Sequence, residues 1–252
     1  MHRHSQASFS RNRLLSALPA DAFEAIRPRL KRVELEMRHV LEVPNEPIPY
    51  IYFLEPCIAS VVAITPGGEQ MEVGLFGPEG MSGLAVANGA DRSPHHTFIQ
   101  VPGQALRMTS DDFRAAMREV EPLAQIVRLY CFAQSVQVAF TALANGRYTI
   151  DERLARWLLM CHDRVDGDVV PITHEFLALM LGVRRAGVTT ALHILEGGGV
   201  IRASRGRIEI IDRNELREGA GDSYGAPEAE YERLIGAFER ASRRLSSDNG
   251  ER

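Results

Sequence analysis

Cysteine is scarce in this chain: three residues, Cys57, Cys131 and Cys161, far apart and each within an apolar run. No CxxC pair or finger-like spacing occurs, so neither a disulfide framework nor a zinc finger organises the fold. The three read as small buried hydrophobes. No Gly-rich phosphate loop and no HExxH helix is present, which removes two common enzyme signatures. Cys161-His162-Asp163 places three reactive side chains in a row, but neighbours on a helix do not face one another, so they form no triad. No apolar run reaches the ~18 residues of a membrane span; Gln125, Arg128, Gln134 and Gln137 interrupt the longest, Leu123–Ala144. With no secretory leader apparent, the expected setting is the cytoplasm, away from any membrane.

Net positive charge is also missing. The 252 residues carry a formal charge of -4, which by itself argues against a polyanionic partner. The distribution matters more, because a protein meets a nucleic acid with one face. Between Arg184 and Arg217 stand seven arginines (184, 185, 202, 205, 207, 213, 217) against four acids, Glu196, Glu209, Asp212 and Glu215.

Four segments are expected: 1–121, a β-rich domain with flanking helices; 122–149, a long helix and hinge; 150–217, a compact C-terminal domain; 218–252, a linker and tail helix. After a polar start, Leu14–Leu30 reads as one or two short helices with Asp21 as N-cap. Seven short runs follow: Val33–Met37, Val40–Val43, Tyr50–Leu54, Cys57–Ile64, Met71–Phe76, Phe98–Val101 and Ala105–Met108. Turn signals such as Thr65-Pro66-Gly67-Gly68 separate them, which predicts an antiparallel sandwich or barrel. A helix starts at Ser110-Asp111-Asp112, and Pro122 opens a second. The second is apolar on nearly every side to about Ala144, so it must be covered on more than one face; an identical helix across a two-fold axis is the simplest second cover. Asn145-Gly146 is expected to break it, and Ile150–His162 forms the next helix. GAGDSYGAPEAE, after Arg217, has a linker's composition, and Tyr231–Leu245 is amphipathic.

Pro171–Asp212 is the most informative stretch. Thr173 can cap a helix over His174–Met180. Leu181-Gly182-Val183 makes a tight turn, with Gly182 where φ is positive or a side chain would obstruct. A second helix runs to about Glu196, and Gly197-Gly198-Gly199 ends it. Val188, Ala191, Leu192 and Leu195 share one face; Thr189, Thr190 and His193 lie mostly opposite, with Arg184 and Arg185 at the start. Two helices joined by a short glycine turn form a helix-turn-helix, whose second helix offers its N-terminus and polar face to a major groove. Arginine there can grip guanine with two hydrogen bonds, while Thr173 and His174 could meet phosphate. Val200–Ala203, Ser204-Arg205-Gly206 and Arg207–Ile211 form a small hairpin, a wing, placing Arg205 and Arg207 near a DNA backbone. A wing that contacts protein instead is the alternative; loss of binding with added salt would favour DNA.

ITHEFLALMLGVRRAGVTTAL (172–192), followed by EGGGVI and RGRIEIID, resembles the DNA-binding domain of the cyclic-AMP receptor protein and fumarate–nitrate regulator (CRP/FNR) family. The resemblance extends over about 200 residues in the family's order of parts. It implies an α+β fold with an N-terminal antiparallel β-roll of the jelly-roll, cyclic-nucleotide-binding type, a dimerisation helix and a C-terminal winged helix-turn-helix. It also implies a bacterial homodimer on an inverted repeat of double-stranded DNA, working with RNA polymerase and not as an enzyme. Arg185 matches the family's main base-reading arginine and Thr173 a phosphate contact. Arg184 stands where the family usually has serine, Ala186 where glutamate often follows, and Thr190 where a second base-reading arginine falls. The docking mode carries over; the DNA sequence preference does not.

The family's cyclic-nucleotide binders use a Gly-Glu pair for ribose and an Arg-Ser pair for phosphate. Gly77, Glu79, Arg92 and Ser93 are the candidates here. Pro78 splits the first pair, and Pro94, which follows the second, has no N–H to offer a phosphate. The family's N-terminal cysteine cluster for an iron–sulfur centre is absent, and the candidate ligands for a haem are His95 and His96. No metal site is expected, and the effector stays open. The resemblance further implies that an effector at the roll shifts the long helices and reorients the winged domains, with Asn145-Gly146 as the hinge.

Overall fold

The computed structural model describes residues 9–248. Seven strands build the N-terminal part: β1 Lys31–Leu35, β2 Val40–Glu42, β3 Tyr50–Leu54, β4 Ile58–Ile64, β5 Gln70–Phe76, β6 His96–Val101 and β7 Gly103–Thr109. All seven expected runs are strands. They pair antiparallel in two sheets, ordered β1-β7-β3 and β2-β6-β4-β5. Alternation along the strands sorts their side chains. Ala59, Phe76 and Ile99 turn inward to join Leu35, Leu54 and Ala105 between the sheets. Ile58, Leu75 and Phe98 turn the other way and join the core of the C-terminal part.

Helices α1 Arg13–Ser16 and α2 Ala20–Ile26 precede the roll. The cap is Asn12 on α1, not Asp21, which lies in the first turn of α2 behind Pro19. Asn12 is fully buried and also donates to the carbonyls of Leu54 and Gly80, both at 2.8 Å. A side chain that caps a helix and ties it to two roll segments outweighs a purely local capping preference. The short helix α3 Leu84–Ala87 follows β5, and α4 Ser110–Glu119 follows β7.

The long helix α5 spans Glu121–Arg147. It does not break at Asn145-Gly146, as the sequence suggested; the chain leaves helical geometry at Tyr148. Mid-helix Gly costs only about 1 kcal/mol against Ala, and the buried Ala144 beside this pair holds the last turns in place. By length and composition α5 could cross a membrane. Two buried glutamines fasten it to β5 instead: Leu75 N–H donates to Gln137 Oε1 at 3.0 Å, and Gln134 Nε2 donates to the Leu75 carbonyl at 3.3 Å.

The C-terminal part holds α6 Ile150–His162, β8 Val169–Val170, α7 His174–Leu181, α8 Arg185–Gly197, β9 Ile201–Ser204 and β10 Arg207–Ile210. The wing gains a third strand that was not expected, in the order β8-β10-β9. Beyond it, GAGDSYGAPEAE is not a free linker. α9 Arg213–Ala220 and α10 Ala226–Tyr231 flank a single 3-10 turn, and a π turn, Glu232–Gly236, leads into α11 Ala237–Asp248. Polar composition hid specific anchors. Arg156 Nε donates to the Ser223 carbonyl at 2.9 Å, and the Tyr224 hydroxyl donates to Asp163 at 2.7 Å.

Candidate DNA-binding surface and its junction with the roll

The helix-turn-helix is built by local rules. Thr173 caps α7, its hydroxyl accepting the Phe176 N–H at 3.2 Å. Gly182 ends α7 at φ 60, a left-handed conformation that L side chains resist. A Cβ there would lie 2.6 Å from the Met71 sulfur, so the obstruction comes from the roll and not from the crossing helix. α8 then buries Val188, Ala191, Leu192 and Leu195, the apolar face read from the sequence.

The opposite face is open. Arg184, the α8 N-cap, makes no capping bond and is exposed, as are Arg185, Thr190 and His193; Thr189 is half-buried. The Thr189 and Thr190 hydroxyls donate to the carbonyls of Arg185 and Ala186 in their own helix, at 3.1 and 3.2 Å. Each keeps acceptor capacity for an incoming donor. His174 is half-buried at the α7 N-terminus. On the wing, Arg205 is exposed at the turn and Arg207 donates to Ser204 at 3.0 Å. Arg184, Arg185 and Arg205 meet no acid that would neutralise them among the described residues. Ile194, 54% exposed on α8, was not singled out from the sequence. Its signal was there: an apolar residue outside the buried stripe. An apolar side chain on such a face can meet a thymine methyl.

The effector candidates fall into two places. The Gly77 N–H donates to the Glu79 carboxylate, and Glu79 also receives the Arg164 guanidinium at 2.7 Å. Arg92 instead pairs with its exposed neighbour Asp91, and the Ser93 hydroxyl bonds His95 Nδ1 at 3.1 Å. His95 and His96 are half-buried, and burial lowers both pKa values.

Sequence reading missed the junction between roll and winged part. Phe98 of β6 meets Phe176 of α7 edge to face, centroids 5.8 Å apart. The Trp157 indole donates to the buried Glu72 carboxylate at 2.9 Å. Burial pushes Glu72 up to about 7, against the pull of Ser60, Trp157, Arg156 and Arg164. Arg164 is also buried. Desolvation lowers its pKa, but Glu79 and Asp163 more than offset this, and the net shift is upward.

Residues 152–218 match the Crp-like helix-turn-helix domain family. No curated protein sequence matches the chain. Among solved structures, a CRP-family transcriptional regulator from Thermus thermophilus, TTHB099, aligns with a TM-score of 0.65 at 21% identity, over 78% of this chain and 99% of that one. FixK2 from Bradyrhizobium japonicum aligns at 0.64 and 16% identity, over 74% and 95%. The c-di-GMP responsive global regulator CLP from Xanthomonas campestris aligns at 0.60 and 14% identity, over 76% and 98%. The chain therefore has the fold of CRP/FNR regulators and carries their type of helix-turn-helix domain.

Proposed function

We propose that this protein is a homodimeric, sequence-specific DNA-binding transcription regulator, with α8 in the major groove. The observation that carries this reading is the split α8: one face buried, the other an exposed row of Arg184, Arg185, Thr190 and His193 beside the wing arginine Arg205. In this reading Arg185 reads bases and Thr189, Thr190 and His193 complete the groove face. Thr173, His174, Arg184, Arg205 and Arg207 hold phosphates. Its place of action is the bacterial cytoplasm, where it recruits or blocks RNA polymerase, and it catalyses no reaction.

Dimerisation is supported by α5. Phe132, Ser135, Ala139, Ala142 and Leu143 recur at helical spacing on its exposed side, with Phe132 53% and Leu143 45% exposed. A second copy of α5 would cover this stripe, and the small residues would let the helices approach closely. Two recognition helices then bind half-sites about 34 Å apart, so the operator is an inverted repeat.

Effector modulation is the finer part of the proposal, and the junction between roll and winged part is the relay. Glu79 and Arg92 already hold Arg164 and Asp91, so a cyclic nucleotide on Gly77, Glu79, Arg92 and Ser93 would have to displace both pairs. The test is selection of bound sites from a random duplex pool, wild type beside Arg185→Ala. An inverted repeat recovered by the wild type and lost by the variant supports the reading. No enrichment, with or without cyclic AMP, cyclic GMP or haem, overturns it.

A further inference from the structure

The C-terminal tail does more than pack. With the roll, α5 and α6 it lines a cavity of about 300 Å³ that is partly open to solvent, within the size range of small-molecule sites. Tyr130, Tyr224 and Tyr231 line it with aromatic rings. The tail lies beyond the matched helix-turn-helix family, which ends at residue 218.

Four polar atoms in this wall lack partners among the described residues. The backbone of Leu75 fixes both α5 glutamine amides, because it donates to Gln137 Oε1 and accepts from Gln134 Nε2. That leaves Gln137 Nε2 as a donor and Gln134 Oε1 as an acceptor, on side chains only 6% exposed. Arg164, 8% exposed, spends Nε on Glu79 and Nη1 on the Met160 carbonyl, and keeps Nη2. Glu228 takes the Gly225 N–H on Oε2 and keeps Oε1. None of the four is sealed from solvent, so each is free to bond whatever enters, and a donor pair and an acceptor pair left over around one cavity point to a polar occupant.

The charges narrow its chemistry. Three of the four lining carboxylates already have guanidinium partners: Glu79 with Arg164, Asp163 with Arg213, Glu232 with Arg13. Among the described residues Glu228 makes no ion pair, but the buried Arg156 guanidinium, which makes none either, interacts with its charge. The four carboxylates are thus offset by four guanidiniums, so a cation or an anion by itself would bury net charge here, whereas a molecule bearing both leaves the balance unchanged. We propose that this cavity binds a small zwitterion carrying an ammonium and a carboxylate, of which a free amino acid is the simplest. Its carboxylate meets Arg164 Nη2 and Gln137 Nε2. Its ammonium meets Glu228 and Gln134 Oε1, with tyrosine faces available to the cation. Of Gly77, Glu79, Arg92 and Ser93, only Glu79 borders this cavity.

Isothermal titration of the full-length protein with each standard amino acid tests this without DNA, so its outcome is separate from that of the DNA-binding reading. At least one amino acid should bind at one site per chain. The corresponding amine and carboxylic acid, each lacking one charge, should bind at least about tenfold more weakly. Glu228→Gln and Gln137→Leu should each weaken the amino acid by at least about tenfold. If Gln137→Leu unfolds the protein, Glu228→Gln, at a half-buried position, still decides. No binding by any amino acid at about 10 mM overturns the proposal. So does equal binding of the amine or the acid, or a folded Glu228→Gln with undiminished affinity.

Discussion

Arg164, just past the end of α6, reaches back to Glu79 on the loop after β5, Nε to Oε1 at 2.7 Å, with the two side chains 8% and 17% exposed. The pair ties the unit that carries the helix-turn-helix to the roll. Removing one partner strands a largely buried charge, which typically costs about 3–5 kcal/mol in a fully buried pair and less where solvent reaches it. Arg164→Met and Glu79→Gln should each lower the urea midpoint strongly, and the double variant should lose less than their sum. Additive losses would mean that the pair is not coupled.

Glu72 sets a pH dependence. Its carboxyl is raised in the folded protein to about 7 from an ordinary 4.5. The folded state therefore holds a proton that the unfolded chain releases, and this stabilisation is fully present at low pH. It is lost as pH rises from the ordinary value through about 7, by at most about 3 kcal/mol. Thermal melts of Glu72→Gln should lack this decline relative to wild type. Parallel profiles would place the titration elsewhere.

Ala139 lies in the middle of the exposed stripe on α5. Ala139→Asp places a charge where the second copy is proposed to pack, at little cost to the single chain. Sedimentation velocity should show monomer for the variant and dimer for the wild type. A dimeric variant would put the interface on another surface.

Gly182 combines a positive φ with the nearby Met71 sulfur. Gly182→Ala should destabilise the protein by about 1–2 kcal/mol through the backbone alone, with a further steric loss. Met71→Ala in the same chain should recover the steric part only. Full recovery would show that the backbone conformation carries no strain.

Much of this was legible in the sequence, because strands, caps and the helix-turn-helix obey local rules. The seven strand runs, the Thr173 cap, the Gly182 turn and both ends of α6 follow from spacing and residue type. What escaped depends on contacts far along the chain. Asp21 looked like a cap until Asn12 found two carbonyls on the roll, and Asn145-Gly146 looked like a break beside an anchored Ala144. The tail read as a linker because Ser223 and Tyr224 look soluble; Arg156 in α6 and Asp163 at its end, over sixty residues earlier, hold them. Glu72 is unmarked within the run Met71–Phe76, since no local pattern says that Trp157 covers it.

The central claim is that α8 reads bases while the wing grips phosphate, and competition binding separates the two. Fluorescence anisotropy would follow wild type, Arg185→Ala and Arg205→Ala on the selected repeat and on random duplex over a range of salt. Arg185→Ala should lose about 1–3 kcal/mol on the repeat and little on random DNA. Arg205→Ala should weaken both equally and reduce the salt slope by about one. An Arg185→Ala protein that keeps the wild-type preference for the repeat, or binding that does not weaken with salt, would contradict the account.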